Sequence, residues 1–266
     1  MNEFLINNPV FSTEQVKQLL AQRGTVGRRS ADSWLGYYQK KGSIIRIKRG
    51  LYASVPIGAE PSTFTPDPFL IASRMADDAV LAYHTALEFH GRAYSLHRRL
   101  TYQTASPTRL LTFHGWQFQP VKFPKPLQQH GKENFGVIGE NRDGISIRVT
   151  SLERTLVDVL NRPDCSGSWE EIWRSLESIE YFDLKQVIDY ALLLDNATTI
   201  AKLGFFLEQH SRELLIEKEQ LEILKPMLPK QPHYLSRQKR ENGILVKEWN
   251  LIVPKEILHR TWTDII

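Results

Sequence analysis

Seven cations crowd one short stretch of this chain: Arg28, Arg29, Lys40, Lys41, Arg46, Lys48 and Arg49. Ser30, Ser33 and Tyr37 lie among them. Guanidinium and ammonium groups neutralise phosphates, hydroxyls donate to phosphates or base edges, and an exposed phenol ring adds a flat contact surface. These residue types suit the binding of a polyanion better than they suit covalent chemistry. The charge distribution sharpens the point. Residues 1–56 hold nine cations and three acids, a net +6, whereas the whole chain of 266 residues is only +4, so the remainder is −2. Positive charge gathered at one end is the electrostatic footprint of a nucleic-acid-binding head. The plainer alternative is a solvated basic face on a small helical subdomain.

Other residues suggest chemistry less well. His84, Glu88 and His90 form the best metal-like cluster, but helical spacing that aligns His84 with Glu88 turns His90 away. No paired cysteines or H-E-x-x-H motif supports them, so no metal ligand is expected. Pro163-Asp164 followed by Asp183-Leu184-Lys185 superficially matches the spaced acids and lysine of metal-dependent nucleases. That chemistry needs a strand under the second acid and the lysine, whereas Asp183 reads as the N-cap of a helix. The chain holds no glycine-rich phosphate loop, no dinucleotide fingerprint and no nucleophile elbow. Neither a catalytic residue nor a cofactor site is expected. Arg154 and Asp158, at i and i+4, read as a helix-surface pair. Trp169 and Trp173 read as core, and Phe205 and Phe206 as core or a partner-binding ridge.

Particular elements must position the basic residues. Ala31, Leu35 and Tyr38 recur at i, i+4 and i+7 and predict a helix over 30–41 with one buried face. Arg29, Ser33, Tyr37 and Lys40 fall on its opposite face. Ser30 is placed to cap the first turn, and Gly42 to end the helix in a left-handed conformation. Residues 44–47 and 51–53 predict a hairpin around Lys48-Arg49-Gly50. Upstream, Ser12-Thr13-Glu14-Gln15 fits a capping box opening another helix. Helix, short break, basic helix and hairpin are the order of a winged helix-turn-helix, in which one helix enters the major groove and the hairpin grips flanking phosphates.

The remainder reads as a separate body. Pro56, Pro61, Pro66 and Pro68 mark a linker over 57–66, dividing a head at 1–56 from an α+β domain at 67–266. Pro68 suits the first turn of a helix, and a short helix follows over 85–89. Segments 100–104, 116–123, 135–139 and 145–149 predict a small mixed or antiparallel sheet. A second capping box is expected at Thr150-Ser151-Leu152-Glu153. Helices then dominate, over 152–160, 169–179, 184–194 and 198–224, with a break allowed in the last, and a late strand follows over 247–254. The fold class is therefore α+β with a helical C-terminal half. A lone cysteine, Cys165, fits a reducing compartment. No run approaches the roughly 20 apolar residues that span a bilayer, and the first residues lack a signal-peptide pattern, so a cytoplasmic protein is expected.

Four segments carry a resemblance to a known family. They are Gly42-Ser-Ile-Ile-Arg-Ile-Lys-Arg-Gly-Leu-Tyr52, Tyr83-His-Thr-Ala-Leu-Glu-Phe-His-Gly91, Val149-Thr-Ser-Leu-Glu-Arg-Thr-Leu-Val-Asp158, and Trp249-Asn-Leu-Ile-Val-Pro254. Together they resemble the AbiEi family, the antitoxin and transcriptional regulator of type IV toxin–antitoxin (abortive phage infection) systems. The E-R-T-L-x-D element is the most specific of the four. The chain departs from the family at Ala201-Lys202-Leu203-Gly204, where members often carry paired arginines before a late turn. The resemblance implies a DNA-binding repressor of its own operon that recognises inverted repeats in double-stranded DNA. It also implies a C-terminal domain that counters a nucleotidyltransferase-like toxin without requiring a stable complex, and it implies no enzyme. Two rival classes stay open. One is an interaction protein whose body is the active part while the head only localises it. The other is the nuclease suggested by Asp164, Asp183 and Lys185.

Overall fold

The computed structural model describes residues 2–24, 28–106, 108–236 and 243–262; within these, the side chains of Asn2, Arg28 and Arg29 are not described. The fold class is α+β, as expected. The chain divides into two compact units. One comprises residues 1–81, 98–122 and 139–149, and the other 82–97, 123–138 and 150–266.

The first unit begins with the basic head. Its order is α1 (Asn2–Asn7), β1 (Val10–Ser12), α2 (Thr13–Gln22), α3 (Arg28–Lys40), β2 (Ile44–Lys48) and β3 (Leu51–Ser54). The helix, helix, hairpin sequence appears as predicted. Sequence reading missed α1 and the short β1, which pairs antiparallel with β3 and completes a three-stranded sheet in the order β1-β3-β2. The Ser12 capping box forms: the serine hydroxyl accepts the Gln15 N–H while the Gln15 side chain accepts the Ser12 N–H. The head has its own core of Phe11, Val16, Leu20, Ala31, Trp34, Leu35, Ile44 and Tyr52. Phe11 meets Phe4 and Trp34 edge-on and stacks on Tyr52. Aromatic pairs of this kind add about 0.5–1.5 kcal/mol each beyond the area they bury, a useful supplement in a small lobe.

A six-stranded sheet completes the unit. It is built from β4 (Val80–Leu81), β5 (Arg99–Gln103), β6 (Leu111–Phe113), β7 (Trp116–Val121), β8 (Val137–Arg142) and β9 (Ile145–Thr150), in the order β6-β7-β5-β4-β9-β8. It is mixed: β4 and β5 are antiparallel, whereas β5 with β7 and β4 with β9 are parallel. Helix α4 (Pro68–Ser73) starts as predicted, with Pro68 in its first turn and Asp67 capping the Phe69 and Leu70 N–H groups.

The expected boundary at 57–66 therefore differs from the observed division. That stretch contains no helix or strand, as a linker should. Pro61 of that stretch lies close to Gly42, where a side-chain carbon would meet its Cγ at 3.0 Å, and beyond the stretch the Met75 carbonyl accepts from Lys48 Nζ of the head at 2.8 Å. The head and the sheet thus form one unit, and the rest of 67–266 forms another.

The second unit is mostly helical. It contains α5 (His84–Phe89), α6 (Lys125–Gln129), α7 (Leu152–Asn161), α8 (Trp169–Glu177), α9 (Leu184–Leu193), α10 (Ala197–Gln209), α11 (Lys218–Glu222) and α12 (Lys255–Leu258). The helical stretch expected over 198–224, with a break allowed, is broken into α10 and α11. A three-stranded sheet of β10 (His233–Tyr234), β12 (Leu251–Pro254) and β11 (Gly243–Val246) accompanies them. One continuous core runs through this unit, including Leu156, Val159, Trp173, Tyr190, Phe206 and Trp249. The capping box expected at Thr150 does not form, and the cap lies one residue later. Ser151 is the N-cap and accepts from the Arg154 N–H, while Glu153 accepts from the Asp183 N–H.

Candidate nucleic-acid interface

Helix α3 turns its two faces to different tasks. Ala31, Trp34 and Leu35 are buried and Tyr38 is partly so, as the spacing requires. Ser33, Tyr37 and Lys40 are exposed on the other face. The Tyr37 ring is 60% accessible, too open to serve the core. It is set edge-on against Tyr38 at 5.1 Å, which fixes its orientation. Gly42, at φ +71°, ends the helix, and the Ser43 N–H returns to the Tyr38 carbonyl at 2.9 Å in the manner of a Schellman turn. Lys40 and Lys41 lie at the C-terminal, electronegative end of the helix and are exposed there.

The expected cap is corrected. α3 begins at Arg28, so Ser30 lies inside the first turn and is half-buried rather than serving as the N-cap. The side chains of Arg28 and Arg29 lie outside the described residues.

The hairpin distributes its three cations unequally. The pairing slips by one residue between Arg46 and Lys48, which places a bulge at Ile47. The bulge breaks the inward–outward alternation and buries Ile47. Arg46 and Arg49 remain exposed. Lys48 does not present its charge with them: it is half-buried and donates to the Met75 carbonyl. Burial lowers the pKa of its ammonium, an effect that Asp77 opposes. Lys48 was expected among the phosphate contacts, and the structure gives it a bracing role instead. The side chains of Lys40, Lys41, Arg46 and Arg49 have no ion-pair or hydrogen-bond partner among the described residues. Four unpartnered cations, with Ser33 and Tyr37 beside them, make a surface suited to a phosphate backbone.

The other candidate residues go elsewhere. Asp164 pairs in a two-point contact with Arg162, which lowers its carboxyl pKa. Asp183 caps α9 through the Gln186 N–H, and Lys185 pairs with Asp189 on the helix surface. The spaced acids and lysine of the nuclease pattern thus take local structural partners. Trp173 is buried and meets Trp169 edge-on, while Phe205 and Phe206 are core.

Arg154 and Asp158 are not a surface pair. Both side chains are fully buried in α7, 3.3 Å apart. Arg154 also donates to the Glu133 and Phe135 carbonyls, and Tyr190 donates its hydroxyl to Asp158 at 2.7 Å. Gly136, at φ +60°, lets that loop approach so closely that a side-chain carbon there would lie 2.9 Å from Arg154 Cβ. The late Lys202-Leu203-Gly204 segment is not a turn but the middle of α10, where Lys202 donates to the Leu160 carbonyl and Gly204 lies under Trp249.

No protein-family model and no curated protein matches the chain. Among solved structures, the chain is similar to a crystal structure of the RV2827C protein from Mycobacterium tuberculosis. The TM-score is 0.62 at 16% sequence identity, over 97% of this chain and 92% of that one. A likeness at this identity shows a shared fold. No helix among the described residues is long and apolar enough to cross a membrane.

Proposed function

We propose that the chain is a sequence-specific double-stranded DNA-binding regulator whose head is a winged helix-turn-helix. In this reading α2 and α3 are the helix pair and the β2–β3 hairpin is the wing. Helix α3 enters the major groove with Arg29, Ser33 and Tyr37 nearest the bases, and Arg28, Lys40 and Lys41 take phosphates. Arg46 and Arg49 hold the wing on the flanking backbone, while Lys48 braces it from behind. The observation that carries this reading is the set of exposed cations, without partners among the described residues, around an exposed tyrosine on the outer side of α3 and the hairpin.

The resemblance to the AbiEi family extends the reading. The chain would repress its own operon in the cytoplasm at inverted repeats. It would also act as the antitoxin of a type IV system against a nucleotidyltransferase-like toxin, without itself being an enzyme. The family's E-R-T-L-x-D element supplies the buried Arg154–Asp158 pair, so in this chain that element is a structural lock and not a contact surface.

The test is binding to the DNA immediately upstream of the chain's own reading frame, measured across a salt series. Five cations on phosphates, Arg28, Lys40, Lys41, Arg46 and Arg49, give a log–log slope of roughly −4.5. Replacing Arg46 and Arg49 together by Ala flattens that slope by about 2 and leaves sequence preference unchanged. A slope that does not move in the double variant removes the wing from the interface, and an upstream region bound no better than random DNA overturns the repressor reading.

A further inference from the structure

A second polar cluster, unrelated to the head, lies within the helical unit. His84 opens α5, Glu88 lies one turn further along the same helix, Ser95 and His97 occupy the following loop, and Glu171 projects from the first turn of α8. One ligand atom each from His84, His97 and Glu171 lies within 4.8 Å of the other two. Sequence spacing pointed instead to His84, Glu88 and His90, but His90 Nε2 is engaged by the Thr150 carbonyl at 2.8 Å.

The hydrogen bonds around His84 fix which nitrogen holds its proton. Nε2 lies 3.0 Å from both the Ser95 carbonyl oxygen and Glu88 Oε1. Glu88 Oε1 also accepts the His97 N–H at 2.7 Å, so it acts as an acceptor. With two acceptors around it, Nε2 carries the hydrogen, and Nδ1 is left with a lone pair. A carboxylate behind one imidazole nitrogen orients the other toward a metal and raises its basicity. The Nδ1 atom has no hydrogen-bond partner, although only 3% of the side chain is accessible. Buried polar atoms left in this way call for an explanation.

The surroundings repeat the signal. The Ser166 hydroxyl is likewise buried without a partner; it and His84 Nδ1 are the two such side-chain atoms among the described residues. Next to it, Gly167 at φ +95° lets the backbone close in. A side-chain carbon there would meet Glu171 Cγ at 3.0 Å and His97 Cε1 at 3.3 Å. Glu171 is held by the Ser95 N–H and hydroxyl at 2.9 and 2.7 Å, and its Oε1 lies 3.9 Å from His84 Nδ1. Nitrogen and oxygen ligands about 2.1 Å from a tetrahedral zinc stand about 3.4 Å from one another, so these two atoms need to close by only about half an ångström.

The geometry points to a Zn²⁺ site formed by His84 Nδ1, an imidazole nitrogen of His97 and a Glu171 carboxylate oxygen, with the fourth position open. Two histidines and one carboxylate are a donor set that zinc accepts in sites that keep a free position. The His84 and His97 rings stack at 3.8 Å with 19° between their planes. Parallel rings cannot aim both lone pairs at one ion, so His97 turns about its Cβ–Cγ bond on binding. It is partly exposed on the loop that follows α5.

The full-length protein, stripped by a chelator and dialysed, is titrated with ZnCl₂ by calorimetry, and its zinc content is measured after a second dialysis. One Zn²⁺ per chain is expected. Co²⁺ in its place gives the visible absorption of a four-coordinate ion. His97→Ala, at a partly exposed loop position, keeps the far-ultraviolet circular dichroism of the parent and weakens zinc binding at least about tenfold. His84→Ala abolishes binding; should that variant fail to fold, His97→Ala still decides the matter. Failure to take up zinc stoichiometrically, or equal zinc affinity in the parent and His97→Ala, overturns the site. DNA binding by the head is a separate readout, so loss of either proposal leaves the other standing.

Discussion

The head and the helical unit use cations in opposite ways. In the head, Lys40, Lys41, Arg46 and Arg49 are exposed and have no partner among the described residues. In the helical unit, Arg154 and Lys202 are buried and give their hydrogens to backbone carbonyls. Charge placed in water costs little and contributes little to folding, so it is available to an outside anion. Charge taken from water is expensive, and it persists only where every donor has an acceptor. The difference teaches that a basic residue is read by its surroundings and not by its type. The same contrast separates mutations that unfold the protein from those that affect only its partner.

The largest effect is expected at Arg154. Its guanidinium bridges α7 to the Glu133 and Phe135 carbonyls and faces Asp158. Arg154→Ala leaves the Glu133 and Phe135 carbonyls without this donor and takes the guanidinium away from the buried Asp158 carboxylate. Breaking a buried pair from one side costs about 3–5 kcal/mol. Urea unfolding followed by tryptophan fluorescence reads this directly, since Trp173 and Trp249 belong to the same core. A loss below about 1 kcal/mol, the usual ceiling for exposed pairs, would show that burial here carries none of the cost assigned to it.

A smaller effect is expected from a single methyl group in α10. A side-chain carbon at Gly204 would sit 2.0 Å from Trp249 Cζ3, and that indole is buried with its N–H on Glu208. The ring has nowhere to go without moving β12 or α10. Gly204→Ala therefore destabilises by about 1–3 kcal/mol, despite the better helix propensity of alanine. A variant as stable as the parent would mean that the α10–Trp249 contact is loose.

Much of the head was legible in the sequence because its signals are local. The face of Ala31 and Leu35, the Gly42 stop, the Ser12 capping box and the turn at Gly50 each depend on residues a few positions apart. Strand β1 was not, since three residues after a proline gain their identity only by pairing with β3, far along the chain. The inward turn of Lys48 was hidden for the same reason: the bulge at Ile47 is a property of the pairing, not of the segment. Arg154 and Asp158 were misread because i, i+4 spacing is identical on a surface and in a core. The nearly continuous apolar run Leu156, Val157, Val159 and Leu160 was the available sign that α7 is covered on more than one side. The cluster of His84, His97 and Glu171 comes from α5, a loop and α8, so helical spacing had no means of finding it.

The smallest effect separates the two regions most cleanly. Gly36 lies in the middle of α3, between Ser33 and Lys40 on the outward side, and a side-chain carbon there would meet nothing within 4 Å. Glycine in a helix interior costs roughly 0.5–1 kcal/mol relative to alanine. Nothing among the described residues requires that cost, in contrast to Gly204, where Trp249 occupies the space. Gly36→Ala therefore stabilises the head by about that amount, visible as a small rise in melting temperature. Should α3 lie in a groove, the same methyl group stands where the backbone meets DNA, and affinity for the upstream site falls while stability rises. Opposite signs in the two measurements place the reason for Gly36 outside the molecule. A variant that is both more stable and equally tight would show that this part of the helix faces open water even when DNA is bound.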